Sequence, residues 1–391
     1  MGIIETDKEY VAGTYKRFNV ALVKGEGAKA WDENGREYID LGSGIAVNIF
    51  GYGDHEWKQA VEKQLDAIPH SSNLYYTEPC GKLAKMLCER TGLKKVFFGN
   101  SGAEANECAV KVARKYAHDK YGDESHSTVI TLINSFHGRT LAMLSATGQE
   151  HFHQHFGPFT PGFVYAKAND VEGLRQISRE NACCAIMLEM VQGEGGVMPL
   201  ENDFVKAAEE ICRGNDMLLI VDEVQTGNGR TGKLYSYMNF GIKPDIVTTA
   251  KGLGGGLPIG ACMIGEKAER TLGFGDHGST FGGNPTVCAG AVSILERLTD
   301  DVLSEVEKKG LYIRKKLEGA KGLKSVSGMG LMLGLDTEGS AGEIANACLE
   351  NGVLVLTAKT KIRLLPPLTI SYGELDRAIG VLREQIELRA K

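Results

Sequence analysis

The chain has 391 residues, 42% hydrophobic and 24% charged, with a formal charge of −6. Such proportions fit a soluble globular protein of two or three domains, or one large α/β domain with an appendage, and the acidic balance argues against a general nucleic-acid binder. No apolar run reaches the roughly 20 residues of a membrane span; Met1 to Val11 lacks a signal-peptide core, and nine cysteines without CxxC spacing fit a reducing cytoplasm.

Residues 1 to 54 read as a leading arm and short strands. Gly27 to Asp40 suggests a β-hairpin, with Asn34-Gly35 as a turn that favours positive φ. Gly44-Ile45-Ala46-Val47-Asn48 follows as a loop. Helical periodicity runs from His55 to Ile68, with Trp57, Val61 and Leu65 at four-residue steps, and returns from Glu78 to Arg90. Lys95 to Gly99 is a short strand that meets Asn100-Ser101-Gly102-Ala103-Glu104 and an alanine-rich helix continuing to Tyr121. Ser101 and Glu104 have the capping-box spacing, so the helix is expected to start there. A helix N-terminus behind a Gly-Ser turn is also an anion site, because its free N–H groups and its dipole both favour phosphate. An ordinary capped helix reads the same way.

Thr128 to Ile133 reads as a buried strand ending at Asn134-Ser135-Phe136-His137-Gly138-Arg139-Thr140. His151, His153 and His155 have a spacing that would share one face of a strand. Gly157-Pro158 and Pro161-Gly162 mark a loop instead, and no further ligand is near in sequence, so a metal is not expected. Ala185 to Val191 is another strand, leading into Gln192-Gly193-Glu194-Gly195-Gly196.

Leu218 to Val221 is an apolar run that ends in Asp222 and Glu223, and Asp245 to Ala250 ends in Lys251 before Gly252-Leu253-Gly254-Gly255-Gly256. Runs of this kind read as strands buried on both faces. If parallel, they bring an acid and a lysine to the sheet edge where open α/β folds bind ligands. A lysine there forms a Schiff base with an aldehyde cofactor, and pyridoxal phosphate also needs an acid for its pyridine nitrogen. The plainer alternative is a turn-capping Asp222 and a solvated Lys251. Between them, Gly227-Asn228-Gly229-Arg230-Thr231-Gly232 satisfies G-x-G-x-x-G. A dinucleotide site needs a helix there and an acid about 20 residues on, where Gly252 stands. His277 to Pro285 is a polar, glycine-rich loop before an alanine-rich helix. From Asp301 helices alternate with short strands (Gly330 to Leu335, Val353 to Leu356, Ile362 to Leu365) and close with an amphipathic helix, Glu374 to Leu388.

The run Asp222-Glu223-Val224-Gln225-Thr226-Gly227, followed by Ala250-Lys251-Gly252-Leu253-Gly254-Gly255-Gly256, closely resembles the signature of the class III (ornithine-type) aminotransferases, most nearly their acetylornithine branch. The resemblance covers nearly the whole chain. It implies the α/β fold type I of pyridoxal-phosphate-dependent transferases: a large domain with a mostly parallel central sheet flanked by helices, plus a smaller α+β domain. It implies Lys251 as the Schiff-base lysine and Asp222 as the pyridinium partner. It also sets Val224 against the ring face, Gln225 near the phenolic oxygen, and Ser101, Gly102 and Ala103 on the phosphate. The family's Phe-His-Gly-Arg run gives Phe136 as a ring-stacking aromatic and Arg139 as a carboxylate binder, a task suited to a planar guanidinium fork. His137 carries no role. Glu194 is paired with Arg363, and Ile45 lines the entrance where ornithine-specific relatives place a tyrosine. Thr280 reaches the neighbouring subunit's cofactor, which implies a homodimer. Met190 departs from the proline usual at that point.

The activity implied is transfer of the terminal amino group of N-acetylornithine to 2-oxoglutarate, giving N-acetylglutamate 5-semialdehyde and glutamate, a step of arginine biosynthesis. Succinylornithine, 4-aminobutyrate and ornithine are alternative donors, and Ile45 argues against ornithine alone. A nucleotide-dependent oxidoreductase, resting on the glycine motif, is the rival from another class. A non-catalytic cofactor-binding protein would not need Lys251, and an aminomutase would not need Arg363. The expected division is 1–54, an N-terminal arm and small-domain segment; 55–295, the large cofactor-binding domain; and 296–391, the C-terminal small domain. Neither nucleic acid nor membrane is expected as a partner.

Overall fold

Seven strands form the central sheet of the computed structural model, which describes residues 1–390. Their spatial order is Lys95–Gly99, Gly260–Ile264, Ile246–Thr249, Leu218–Asp222, Cys183–Leu188, Thr128–Leu132 and Phe163–Ala166. Only Gly260–Ile264 runs against the others, pairing antiparallel with both neighbours. Leu218–Asp222 lies in the middle, parallel to the strands on either side, with Asp222 in register with Thr248. Every residue of that strand is buried, as its unbroken apolar run requires of a sheet covered on both faces.

One covering layer is the helix Gly102–Tyr121. Its inward residues, Ala105, Cys108, Ala109 and Ala113, are small and fully buried, so the helix lies close to the sheet. The helix start differs from the expected capping box in one detail. Ser101 Oγ accepts the Glu104 N–H as predicted, but the Glu104 carboxylate accepts from the N–H of Asn100 rather than of Ser101. It therefore ties the helix to the preceding turn.

Beside the central sheet stand two four-stranded sheets and a two-stranded one, Val191–Gln192 with Met198–Pro199. Leu323–Met329, Met332–Thr337, Lys361–Leu364 and Leu356–Ala358 make an antiparallel sheet in that order. Leu22–Glu26, Lys29–Asp32 and Glu37–Asp40 form a second, completed by Val353–Leu354 in parallel with Glu37–Asp40. The two ends of the chain thus share one sheet. The expected hairpin is present, but of its turn residues only Gly35 has positive φ. Asp32 accepts the N–H groups of Asn34 and Arg36, and that anchoring replaces a tight Asn-Gly turn with a longer loop.

Other differences from the sequence reading have local causes. In the helix His55–Ala67 only Val61 is buried, and Leu65 is exposed although it continues the apolar spacing. The structure adds the helices Val171–Glu180 and Asn202–Gly214 and the strand Gly260–Ile264 to the elements expected from sequence; the last is a brief apolar run behind a glycine-rich loop. The G-x-G-x-x-G segment opens no helix, and the next helical residues are a short turn, Ser236–Asn239. Its glycines are packed against protein: a Cβ on Gly227 would lie 2.6 Å from the Glu223 carbonyl oxygen, and one on Gly232 would lie 2.3 Å from Glu307. Arg230 is completely buried and donates to the carbonyls of Leu331 and Pro366, so this loop clasps the Leu323–Thr337 hairpin rather than a pyrophosphate. No helix among the described residues is long and apolar enough to cross a membrane.

Candidate active site

A cavity of about 620 Å³ opens at the carboxyl ends of the parallel strands. Asp222 and Lys251 both line it, as do Ser101, Gly102, Ala103, Phe136, Arg139, Val224 and Gln225. Chain segments more than a hundred residues apart meet here because adjacent parallel strands end at the same edge.

Asp222 is buried, and three donors hold its carboxylate. Asn106 Nδ2 donates to Oδ2 at 2.7 Å, His137 Nδ1 lies 2.8 Å from the same oxygen, and the Val224 N–H donates to Oδ1 at 3.0 Å. His137 is wholly enclosed; burial works against its charged form, but the adjoining Asp222 carboxylate prevails and raises its pKa. Asn106 also donates to the His137 carbonyl, which locks the two partners together. Glu223, the neighbouring acid, turns the other way. Its carboxylate accepts from Thr226 Oγ1, Ser236 Oγ and the Tyr237 N–H, and burial raises its pKa. Of the two acids at the strand end, one serves the cavity and the other holds the following loop.

Lys251 follows the strand Ile246–Thr249 with φ of 45°, a left-handed conformation that a non-glycine residue adopts at a cost. Enclosure by protein lowers its pKa, although the nearby Glu194 and Asp222 carboxylates oppose that change. More of the amine is consequently neutral than on a free lysine, which suits it to take up a proton.

Glu194 and Arg363 meet beside Gln225. Arg363 Nη1 donates to Glu194 Oε1 at 2.5 Å and to Gln225 Oε1 at 3.1 Å. Burial of Glu194 is outweighed by the guanidinium, and its carboxyl pKa is lowered. Arg139 is exposed at the mouth, with its guanidinium over the rings of Phe136 and Phe152. Ile45 is 40% exposed and belongs to a run of left-handed residues, Ser43 to Ala46; Val47, not Ile45, lines the cavity. Thr280 is also exposed and does not line it.

Four side chains on the cavity wall, His137, Asn106, Glu189 and Tyr15, carry no role in the sequence. His137 and Asn106 become partners of Asp222 only through folding, and Glu189 lines the cavity beside them. Tyr15, from the N-terminal arm, joins the wall as well. The three histidines of the 151–155 segment go separate ways. His151 packs on Phe152, His153 Nε2 lies 2.8 Å from the Leu144 carbonyl, and His155 has positive φ. No group of three His, Cys, Asp or Glu side chains among the described residues is arranged to hold a metal.

The site fits pyridoxal phosphate on its own donor set. Ser101 takes the N–H of Glu104 through Oγ and that of Ala105 through its carbonyl. The N–H groups of Gly102 and Ala103, in the first helical turn, have no intrahelical acceptor, the arrangement that can receive an anion. The cavity therefore brings free backbone N–H groups, a buried carboxylate and a primary amine together.

Residues 10–386 match the family described as aminotransferase class-III. An acetylornithine aminotransferase from Haemophilus ducreyi is 52% identical over 384 residues, covering 98% of each chain. Its namesake from Aquifex aeolicus is 44% identical, over 96% of this chain and 99% of its own. Among solved structures, the ornithine aminotransferase of Toxoplasma gondii, with PLP at partial occupancy in its active site, superposes with a TM-score of 0.94. It is 32% identical, over 99% of this chain and 94% of its own. The N-acetylornithine aminotransferase of Stenotrophomonas maltophilia gives 0.85 at 34% identity, over 99% of both chains.

Proposed function

Because the chain belongs to the class-III aminotransferases, we propose that it moves the terminal amino group of N-acetylornithine to 2-oxoglutarate, with pyridoxal 5′-phosphate as cofactor. The products are N-acetylglutamate 5-semialdehyde and glutamate, in the service of arginine biosynthesis. The observation that carries this reading is the Glu194–Arg363 pair: Arg363 Nη1 also donates to Gln225, which lines the cavity together with Asp222 and Lys251.

Ser101, Gly102 and Ala103 would hold the phosphate, Asp222 a ring nitrogen, and Phe136 and Val224 the ring faces, with Gln225 at the phenolic oxygen. When bound, the cofactor supplies the electron sink that lets the amine-bearing carbon give up a proton. The chain's own work is then division of labour among charges. Lys251, with a depressed pKa, takes that proton on Nζ and returns it to the neighbouring carbon. Asp222, fixed by His137 and Asn106, would present its carboxylate to the ring nitrogen. Arg139 receives the carboxylate of the acylated donor and later the distal carboxylate of 2-oxoglutarate.

A free Arg363 would attract the wrong end of a donor. Glu194 neutralises it during the first half-reaction and leaves it for the dicarboxylate in the second. Thr280, exposed beside the 58% exposed Phe281, is assigned to a second copy's cofactor in a homodimer. The division at residues 54 and 295 belongs to the same proposal, as does a cytoplasmic location, which nine free cysteines favour.

The test is visible absorbance of the purified protein with added cofactor. A band that bleaches with N-acetylornithine and returns with 2-oxoglutarate supports both half-reactions. Bleaching by 4-aminobutyrate alone would replace the donor, and no band at all would remove Lys251 from its role.

A further inference from the structure

Glu189 follows the strand Cys183–Leu188, is 7% exposed and lines the cavity. It makes no ion pair within 4 Å with any described lysine or arginine. Its two oxygens serve different loops. Oε2 accepts the Phe136 N–H at 2.9 Å, and Oε1 accepts the Gly193 N–H at 3.4 Å. Phe136 leads into the loop that carries Arg139, whereas Gly193 immediately precedes Glu194. One buried carboxylate therefore joins the aromatic wall to the segment bearing the Arg363 partner.

We propose that Glu189 is a positioning residue, and that a proton taken up on its Oε1 frees the Gly193 N–H and with it the Glu194 side of the Glu194–Arg363 gate. The inference rests on the reading of that ion pair as the gate between donor and dicarboxylate.

The geometry specifies which oxygen is protonated. A neutral carboxyl keeps one carbonyl acceptor and gains an O–H donor. The shorter bond, to Phe136, retains the acceptor, and the proton goes to Oε1, where it meets an N–H donor and breaks the longer bond. Gly193 is then held by fewer partners, and its movement reaches the gate directly. A Cβ at Gly193 would lie 2.5 Å from Gln225 Oε1, the atom that accepts from Arg363. The proton comes from solvent through the cavity mouth.

The charges around Glu189 suit this role. Burial raises its carboxyl to about 7, His137 opposes the rise, and Asp222 adds to it. Lys251 at the cavity floor also senses Glu189, and Glu194, Arg363 and Arg139 complete the charged surroundings.

Amide hydrogen exchange on the cofactor-loaded protein tests the proposal without reference to any substrate. After correction for intrinsic rates, protection of the Gly193 amide in the wild-type protein should fall about tenfold as pH drops by about one unit through the titration. In Glu189→Gln, whose amide presents an N–H₂ to one of the two donors, protection should be low at every pH. Single-turnover rates should move with it: the ratio of the 2-oxoglutarate to the N-acetylornithine half-reaction rises below the titration in the wild type and is flat in the variant. A pH-independent Gly193 amide in the wild type overturns the proposal, as does a variant with the wild-type pH profile. If the variant does not fold, the wild-type exchange profile decides alone. Exchange that follows pH in a protein unresponsive to N-acetylornithine upholds the Glu189 role and discards the donor.

Discussion

Arg363 Nη1 reaches Glu194 Oε1 at 2.5 Å and, with the same nitrogen, Gln225 Oε1 at 3.1 Å. Arg363 is almost fully buried, while Glu194 keeps 28% of its side chain exposed. The pair is asymmetric: the cation is enclosed by protein, and the anion is partly open to solvent. Replacing Glu194 by Gln removes the neutralising charge but keeps the shape. A charge-assisted bond of this kind is worth about 1.5–3 kcal/mol, so the donor half-reaction should slow roughly ten- to hundredfold while the acceptor one changes little. Equal losses in both, by single-turnover absorbance, would show that Glu194 is not a gate.

The same pair sets a pH dependence of stability. The Glu194 carboxyl lies below its ordinary value of 4.5, because Arg363 outweighs burial. Its stabilising contribution is therefore present above that value and lost as pH falls through the lowered folded pKa. Urea unfolding of the wild type and of Glu194→Gln should show the wild type ahead at neutral pH and the gap closing in acid. A gap independent of pH would mean that the bond contributes through packing alone.

His137 is predicted to act through Asp222. Its Nδ1 is 2.8 Å from Asp222 Oδ2, and both side chains are buried. Changing His137 to Phe fills the space but removes one of three donors to the carboxylate, leaving Asn106 and the Val224 N–H. Loss of one charge-assisted bond at about 1.5–3 kcal/mol should lower turnover by roughly one to two orders of magnitude. The pH titration of the visible cofactor band should shift downward as well, since a poorly held Asp222 protects ring protonation less. An unshifted band with lower turnover would place His137 outside this chain of contacts.

The sequence disclosed those parts of the site whose position follows from a strand ending. Asp222 and Lys251 each terminate an apolar run, and parallel pairing alone brings both to one edge. Ser101 to Ala103 were legible for a similar reason, as a strand-to-helix turn with a capping side chain. Glu189, Asn106 and His137 were not. Their meaning depends on contacts across 31 to 116 positions of sequence, such as Asn106 to the His137 carbonyl and to Asp222. Local periodicity carries no trace of such pairs. The helix Val171–Glu180 is faint in sequence for a different reason: it contains Gly173 and buries only Leu174. Leu65 shows the reverse error, a correct helical period whose outer apolar residue finds no cover within the chain.

The last prediction concerns how close the start of the helix Gly102–Tyr121, proposed to hold the phosphate, sits to Val224, just past the Asp222 strand. A Cβ built on Gly102 would lie 2.6 Å from Val224 Cγ1 and 2.8 Å from Cγ2. Val224 is β-branched, so its χ1 has little freedom to turn both methyls away. Gly102→Ala must therefore displace either the helix start, with its free N–H groups, or the residue whose own N–H fixes Asp222 Oδ1. Either displacement should weaken cofactor binding by about ten- to hundredfold, corresponding to roughly 1.4–2.7 kcal/mol, while leaving the helix itself formed. Val224→Ala removes the obstructing methyls, and the double variant should recover most of the loss. That recovery is the coupling expected of residues in contact and absent between independent sites. Titration of the cofactor-free proteins, followed by the visible band, measures all four affinities. Additive losses would mean that Gly102 is required for its backbone alone, and the closeness of Val224 would then have no bearing on how the phosphate is held.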